Sequence, residues 1–149
     1  MSGYLLAVAD TSVLYSAFDR RDRDHAAANQ AMGAARILVV SPMVLAELDY
    51  LLTTKVSERI AIEATKRLGA LARLGIVRVP VITTDLQRQV EELMVRYEGH
   101  AIGLTDMMNA ALCWELPTPV ILSLDRHYSD VIAPRRPGEK PLEVLPART

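Results

Sequence analysis

Four acidic residues, Asp10, Glu47, Asp106 and Asp125, stand where a folding chain gains little from a carboxylate. Asp10 ends the apolar run that starts at Tyr4, and Asp125 ends a second one, Val120 to Leu124. Glu47 interrupts an otherwise apolar helix face, and Asp106 opens a helix. Each has an ordinary explanation when taken singly. Asp10 caps a helix before Thr11 and Ser12, Asp125 makes a turn before Arg126, Asp106 complements the positive end of a helix dipole, and Glu47 pairs with an arginine from another element. Taken together they describe carboxylates gathered at one edge of a parallel sheet. Like charges held that way need shared protons or a divalent cation. Hard carboxylate oxygens favour Mg²⁺, with Mn²⁺ as a substitute, and the chemistry of such a site is metal-assisted hydrolysis of a phosphodiester.

The elements that must position these acids follow from periodicity. Short Val- and Ile-rich runs at Leu5–Ala9, Ile37–Val40, Ile76–Val79 and Pro119–Leu124 alternate with helical stretches. The helices are expected at 12–16, 24–34, 42–54, 57–74, 84–97 and 104–115, with a short edge strand near 142–145 inside a proline-containing tail. Ser41-Pro42, Ser57-Glu58 and Thr84-Asp85 are helix-start signals. Alternating strands and helices predict an α/β fold with a mainly parallel sheet, and 149 residues suit one domain spanning 1–149. In such a sheet ligands bind beyond the carboxyl ends of the strands, where Asp10 and Asp125 both fall. On the helix that begins at Pro42, Val44, Glu47, Leu48 and Leu51 share a face, so the Glu47 carboxylate is expected in or beside the buried stripe. Asp106 shares its helix face with Asn109, Ala110 and Cys113, while Met107, Met108, Ala111 and Leu112 form the apolar side, which leaves room for a site.

Composition narrows the function. A net charge of −1 means that any nucleic-acid binding rests on a local patch or on bound metal, and an aromatic content of 5% argues against gripping single strands by stacking. A lone Cys113 forbids an intrachain disulfide and has no charged neighbour that would make it a thiolate. No signal sequence or membrane-spanning stretch is read, so a cytoplasmic location without a membrane partner is expected. His25, His100 and His127 lack zinc-type spacing and are read as structural or solvated. Arg20, Arg21 and Arg23 form a basic run, read as a solvated loop with phosphate contact as the alternative. The seven glycines are scattered, which sets aside phosphate loops and dinucleotide folds.

Four segments in order, LAVADTSVL, SPMVLAELDYLL, GLTDMMNAAL and VILSLDRHYSDV, carry a resemblance that runs almost end to end. The chain resembles a PIN domain of the VapC toxin type. The resemblance implies a three-layer α/β/α sandwich, Mg²⁺- or Mn²⁺-dependent endoribonuclease activity on an RNA substrate, a homodimer, and a cognate antitoxin within a toxin–antitoxin pair. It makes Asp10, Glu47, Asp106 and Asp125 the metal-binding acids, with Thr11 or Ser12 and Asn109 as supporting polar groups. Family members often have Ala where this chain has Met107 and Thr where it has Ser123; Ser123 keeps the supporting hydroxyl. Phosphatase and receiver domains also place Asp at a strand end, but the former want a second Asp where Ser12 stands and the latter a late lysine near the acids. The remaining alternative is a PIN-like scaffold that binds RNA or protein without cutting, which has no need of four acids in one cleft.

Overall fold

A computed structural model describes residues 3–146. Five strands form one sheet, β1 (Tyr4–Ala9), β2 (Ala35–Val39), β3 (Val77–Arg78), β4 (Val120–Leu122) and β5 (Glu143–Leu145), in the order β3-β2-β1-β4-β5. Every pairing is parallel. The helices are α1 (Thr11–Phe18), α2 (His25–Gly33), α3 (Pro42–Lys55), α4 (Glu58–Arg73), α5 (Thr84–Arg96), α6 (Leu104–Glu115) and the short α7 (His127–Asp130). Among the described residues none is long and apolar enough to cross a membrane.

The strand alternation sorts the core into two layers. Ala7 and Ala9 of β1, with Leu38, Val120 and Leu122, pack under α1 to α4. Val8, Val39 and Ile121 face the opposite way, under α5, α6 and α7. Both faces are therefore covered, which is the α/β/α sandwich that the resemblance implied. The helix starts also match. Ser41 Oγ accepts from the Met43 amide at 3.1 Å, Ser57 Oγ from Ile60 at 3.1 Å, and Thr83 Oγ1 from Leu86 at 3.1 Å, each filling an otherwise orphaned first-turn donor.

Three differences bear on the site. The last long strand stops at Leu122 instead of Leu124, because the chain there is captured by side chains: Ser12 Oγ takes the Leu124 amide at 3.0 Å and Ser123 Oγ takes the Asp125 amide at 2.9 Å. The tight helical turn α7 then follows, where the sequence predicts no helix; at four residues it is too short to show a period. Third, α6 is buried on all sides, with Ala110 and Cys113 at 0% and 1% exposure, so the small-residue face is filled by packing and opens no space. Only the first two turns of α6, through Asp106 and Asn109, reach the site.

Candidate metal centre

β1 and β4 are neighbours, with Ala9 opposite Leu122, so the residues that follow them emerge side by side at the carboxyl edge of the sheet. Asp10 is fixed there by its backbone. Its N–H donates to Leu122 O at 2.9 Å and its carbonyl accepts from the Leu14 amide at 3.3 Å. The side chain makes no capping hydrogen bond to α1, so capping does not account for this residue. It is 3% exposed and is held by three donors, with a fourth, the Tyr128 hydroxyl, shared with Asp106. Ser12 Oγ and Ser123 Oγ each donate to Oδ2 at 2.9 Å, while Asn109 Nδ2 and the Tyr128 hydroxyl reach Oδ1 at 3.1 and 3.3 Å. A carboxylate offers about four acceptor positions, and Asp10 has three of them filled by unshared donors.

Asp106 enters from the first turn of α6 and Asp125 from the loop after β4. Tyr128 hydroxyl donates to Asp106 Oδ1 at 3.1 Å and accepts from Asn109 Nδ2 at 3.2 Å. One phenolic proton thus stands between Asp10 and Asp106. Asp125 Oδ1 accepts the His127 amide at 2.8 Å, so the expected turn role is real and coexists with its place at the site. Glu47 lies on α3 and is exposed, which differs from the expected burial. The buried stripe of α3 runs through Val44, Leu48 and Leu52 in four-residue steps, and Glu47 falls on its shoulder. Among the described residues no arginine or lysine pairs with Glu47 or with any of the other three acids. All four line one cleft of about 280 Å³, together with Thr11 and Ser12.

Crowding of uncompensated charge sets the electrostatics. Burial raises the Asp10 carboxyl above its ordinary range; the hydrogen bonds from Ser123 and Ser12 oppose this and the charge of Asp125 adds to it. Asp106 is pushed up to about 6, first by burial, then by Asp10 and Asp125, with Glu47 contributing. Burial, with Asp10 and Asp106 beside it, raises the Tyr128 phenol well above its usual value, so it stays a proton donor. Cys113 is pushed up by burial alone and is an apolar filler. Among the described residues three buried polar side-chain atoms have no hydrogen-bond partner, Thr11 Oγ1, Asn109 Oδ1 and His127 Nδ1. Asp106, Asp125 and His127 each present a ligand atom, all within 4.8 Å of one another. A cluster of carboxylates lacking a cation, with spare donor atoms around it, fits a hard divalent ion.

The structure brings Asp10, Glu47, Asp106, Asp125, Thr11 and Ser12 together and places Asn109 and Ser123 directly behind them. Sequence reasoning missed two members, Tyr128 and His127. His25 and His100 do behave structurally: His25 Nδ1 meets Ser16 O at 2.8 Å and His100 packs edge-on against Tyr97. His127, however, lies at the site, with Nδ1 3.0 Å from Asp125 Oδ1. The signal that could have found it is its position two residues after a strand-end acid.

Comparison with known proteins agrees with this fold. The model of the PIN domain family matches residues 7–133. Ribonuclease VapC26 of Mycobacterium tuberculosis is 33% identical over 132 residues, which cover 85% of this chain and 92% of that protein. Among solved structures, the Mycobacterium tuberculosis toxin VapC20, described as cleaving the sarcin-ricin loop, aligns with a TM-score of 0.71 at 24% identity over 81% of this chain and 90% of its own. VapBC2 from Rickettsia felis, bound to a DNA fragment from its promoter, aligns with a TM-score of 0.59 at 14% identity over 82% and 89%. The two solved structures share the fold, while the family model, over residues 7–133, extends over the strand ends that carry the acids. The chain belongs to the PIN domain family and, within it, to the VapC type.

Proposed function

We propose that this chain is a Mg²⁺-dependent endoribonuclease, with Mn²⁺ able to substitute, acting as the toxin of a toxin–antitoxin pair in the cytoplasm. The observation that carries the reading is the cluster of four acids in one cleft with no lysine or arginine paired to them among the described residues. A divalent ion bound there supplies neutralisation of phosphate charge and acidification of water. Asp106 and Asp125 hold that ion. Asp10, held by Ser12, Ser123 and Asn109, adds charge from behind and fixes the two strand ends through Ser12 and Ser123. Glu47, exposed at the rim, orients the attacking water and accepts its proton. Tyr128 keeps Asp10 and Asp106 at a constant separation.

The name of the 33% identical relative, a ribonuclease, supports RNA as substrate. The VapBC name of one structural neighbour supports an antitoxin as partner, and the chain is proposed to act as a homodimer. An acidic cleft suggests how an antitoxin could silence it, by placing an arginine among the acids in competition with the metal. The purified protein is expected to cut a structured RNA with Mg²⁺ or Mn²⁺ and to stop on adding EDTA. Asp10→Asn and Asp106→Asn should remain folded and inactive, and should relieve the growth arrest caused by expressing the parent without its antitoxin. Cleavage undiminished in EDTA would refute the metal mechanism. A folded, metal-binding parent that cuts no RNA would favour the scaffold alternative.

A further inference from the structure

We infer that His127 is a direct ligand of the divalent ion, binding through Nδ1 and converting an all-oxygen site into a mixed nitrogen and oxygen one. The inference rests on the metal site proposed above and adds a residue to it. Nδ1 is shielded from solvent and has no hydrogen-bond partner, although it lies 3.0 Å from Asp125 Oδ1 and 3.8 Å from Asp106 Oδ2. The contact with Asp125 therefore has the distance of a hydrogen bond without its direction. In the tautomer that leaves Nδ1 unprotonated, its lone pair facing a carboxylate oxygen is repulsive unless a cation lies between them. Two ligands each about 2.1 Å from an ion and at right angles are about 3.0 Å apart, and opposed ones about 4.2 Å. The Asp125 and Asp106 distances fall at the lower bound and within that range. Thr11 gives independent support. It is 3% exposed, its Oγ1 also lacks a partner, and it lines the same cleft. The ring is not free to drift, because the His127 amide is held by Asp125 and its carbonyl accepts from the Val131 and Ile132 amides.

An imidazole in the ligand set moves preference from Mg²⁺ toward Mn²⁺ and the later first-row ions, since nitrogen suits those ions better than it suits Mg²⁺. The test uses the full chain loaded with Mn²⁺ alone and read by pulsed electron paramagnetic resonance, which detects a directly bound imidazole nitrogen. The parent should show that nitrogen coupling. His127→Gln should lose it, while His25→Gln and His100→Gln keep it. By thermal shift, His127→Gln should bind Mn²⁺ about tenfold more weakly, with a smaller change for Mg²⁺. A parent that binds Mn²⁺ without nitrogen coupling overturns the inference and leaves the carboxylate site intact. Coupling that persists in folded His127→Gln overturns it equally. A parent that binds no Mn²⁺ refutes both this inference and the metal reading beneath it.

Discussion

The charged side chains around Arg135 and those around Asp106 form clusters built on opposite terms. Around Arg135 every charge finds its complement within the chain. Its guanidinium donates to Glu139 Oε2 at 2.8 and 3.2 Å and to Gln89 Oε1 at 2.6 Å, and it stacks 4.7 Å from the centre of the Trp114 ring. Glu139 also accepts the Arg135 amide at 2.7 Å, and Gln89 donates onward to Asp85. Burial alone would raise the Glu139 carboxyl, yet the bonds from Arg135 outweigh it and hold it below the ordinary range. Around Asp106 the balance runs the other way. Acids face acids, three polar atoms lack partners, and the carboxyl is driven up to about 6. A satisfied network of charges is what a tail needs to be fastened to α5 and α6. An unsatisfied one is sustained by the rest of the fold and completed only by something the chain does not contain.

The largest effect should come from breaking the satisfied cluster. Arg135 and Glu139 side chains are each 14% exposed, and Arg136 Nε also lies 3.5 Å from Glu139 Oε2, so Arg135→Ala combined with Arg136→Ala leaves a mostly buried carboxylate without its cations. The expected cost is about 3 kcal/mol, read as a lower urea midpoint at unchanged slope, and identical with or without metal. A loss under about 1 kcal/mol would place this pair with ordinary surface ion pairs and remove the contrast.

The same contrast explains what is legible without coordinates. Helix α6 is legible at both ends, from Leu104 to Glu115, because its apolar pattern is continuous and Asp106 marks its first turn. The four acids are legible only together, because each has a local explanation and it is the strand and helix pattern that gathers them at one edge of the sheet. Tyr128 is not. A buried aromatic near the end of a strand reads as core, and nothing local shows that its hydroxyl meets a carboxylate 118 positions away. His127 fails a test for zinc-type spacing, which a mixed carboxylate site does not have to satisfy. Nor does sequence reveal the Arg135 cluster, since Gln89 and Arg135 meet only through tertiary packing.

The second prediction concerns pH and works in the opposite direction to the first. Asp106 titrates at about 6 in the folded chain, above the ordinary 3.8 of an aspartate, and its side chain is 20% exposed. Between those values the folded chain holds a proton that the unfolded chain has released, so stability without metal falls as pH rises through about 6. A shift of that size corresponds to at most roughly 3 kcal/mol, and about 2 kcal/mol is expected once solvent screening is allowed for. In EDTA, the parent should therefore gain stability from about pH 7 down to about pH 5. Asp106→Asn should be more stable than the parent at neutral pH by about that amount and should lack this limb of the profile. A parent whose melting temperature is flat or rising toward neutral pH in EDTA would contradict the strained cluster.

The smallest effect on folding, and the sharpest on binding, should come from a third arrangement of charge. A groove at the far end of α1 and α3 is lined by Arg20, Arg21, Lys55, Arg59 and Arg67, with only Asp19 and Glu63 as acids. The side chains of Arg20, Arg21 and Arg67 are exposed and form no ion pair among the described residues. Arg23, the last of the same basic run, lies outside the groove and contacts Asp24 at 3.5 Å. Lys55 stands eight residues beyond Glu47 on α3, about 12 Å along the helix, so cations begin where the acidic cleft ends. A chain with a net charge of −1 can hold a polyanion only through such a patch or through bound metal. Arg21→Ala with Arg67→Ala should leave the melting temperature nearly unchanged, since exposed substitutions fall within about 0.5 kcal/mol. In an Asp106→Asn background, where RNA is bound without being cut, the pair should weaken binding at low salt. The dependence of log affinity on log salt should become shallower by about two, because each removed guanidinium leaves one phosphate with its counterions still condensed on it. An unchanged slope would take the groove off the path of the RNA and leave the acidic cleft with its metal as the whole of the binding surface.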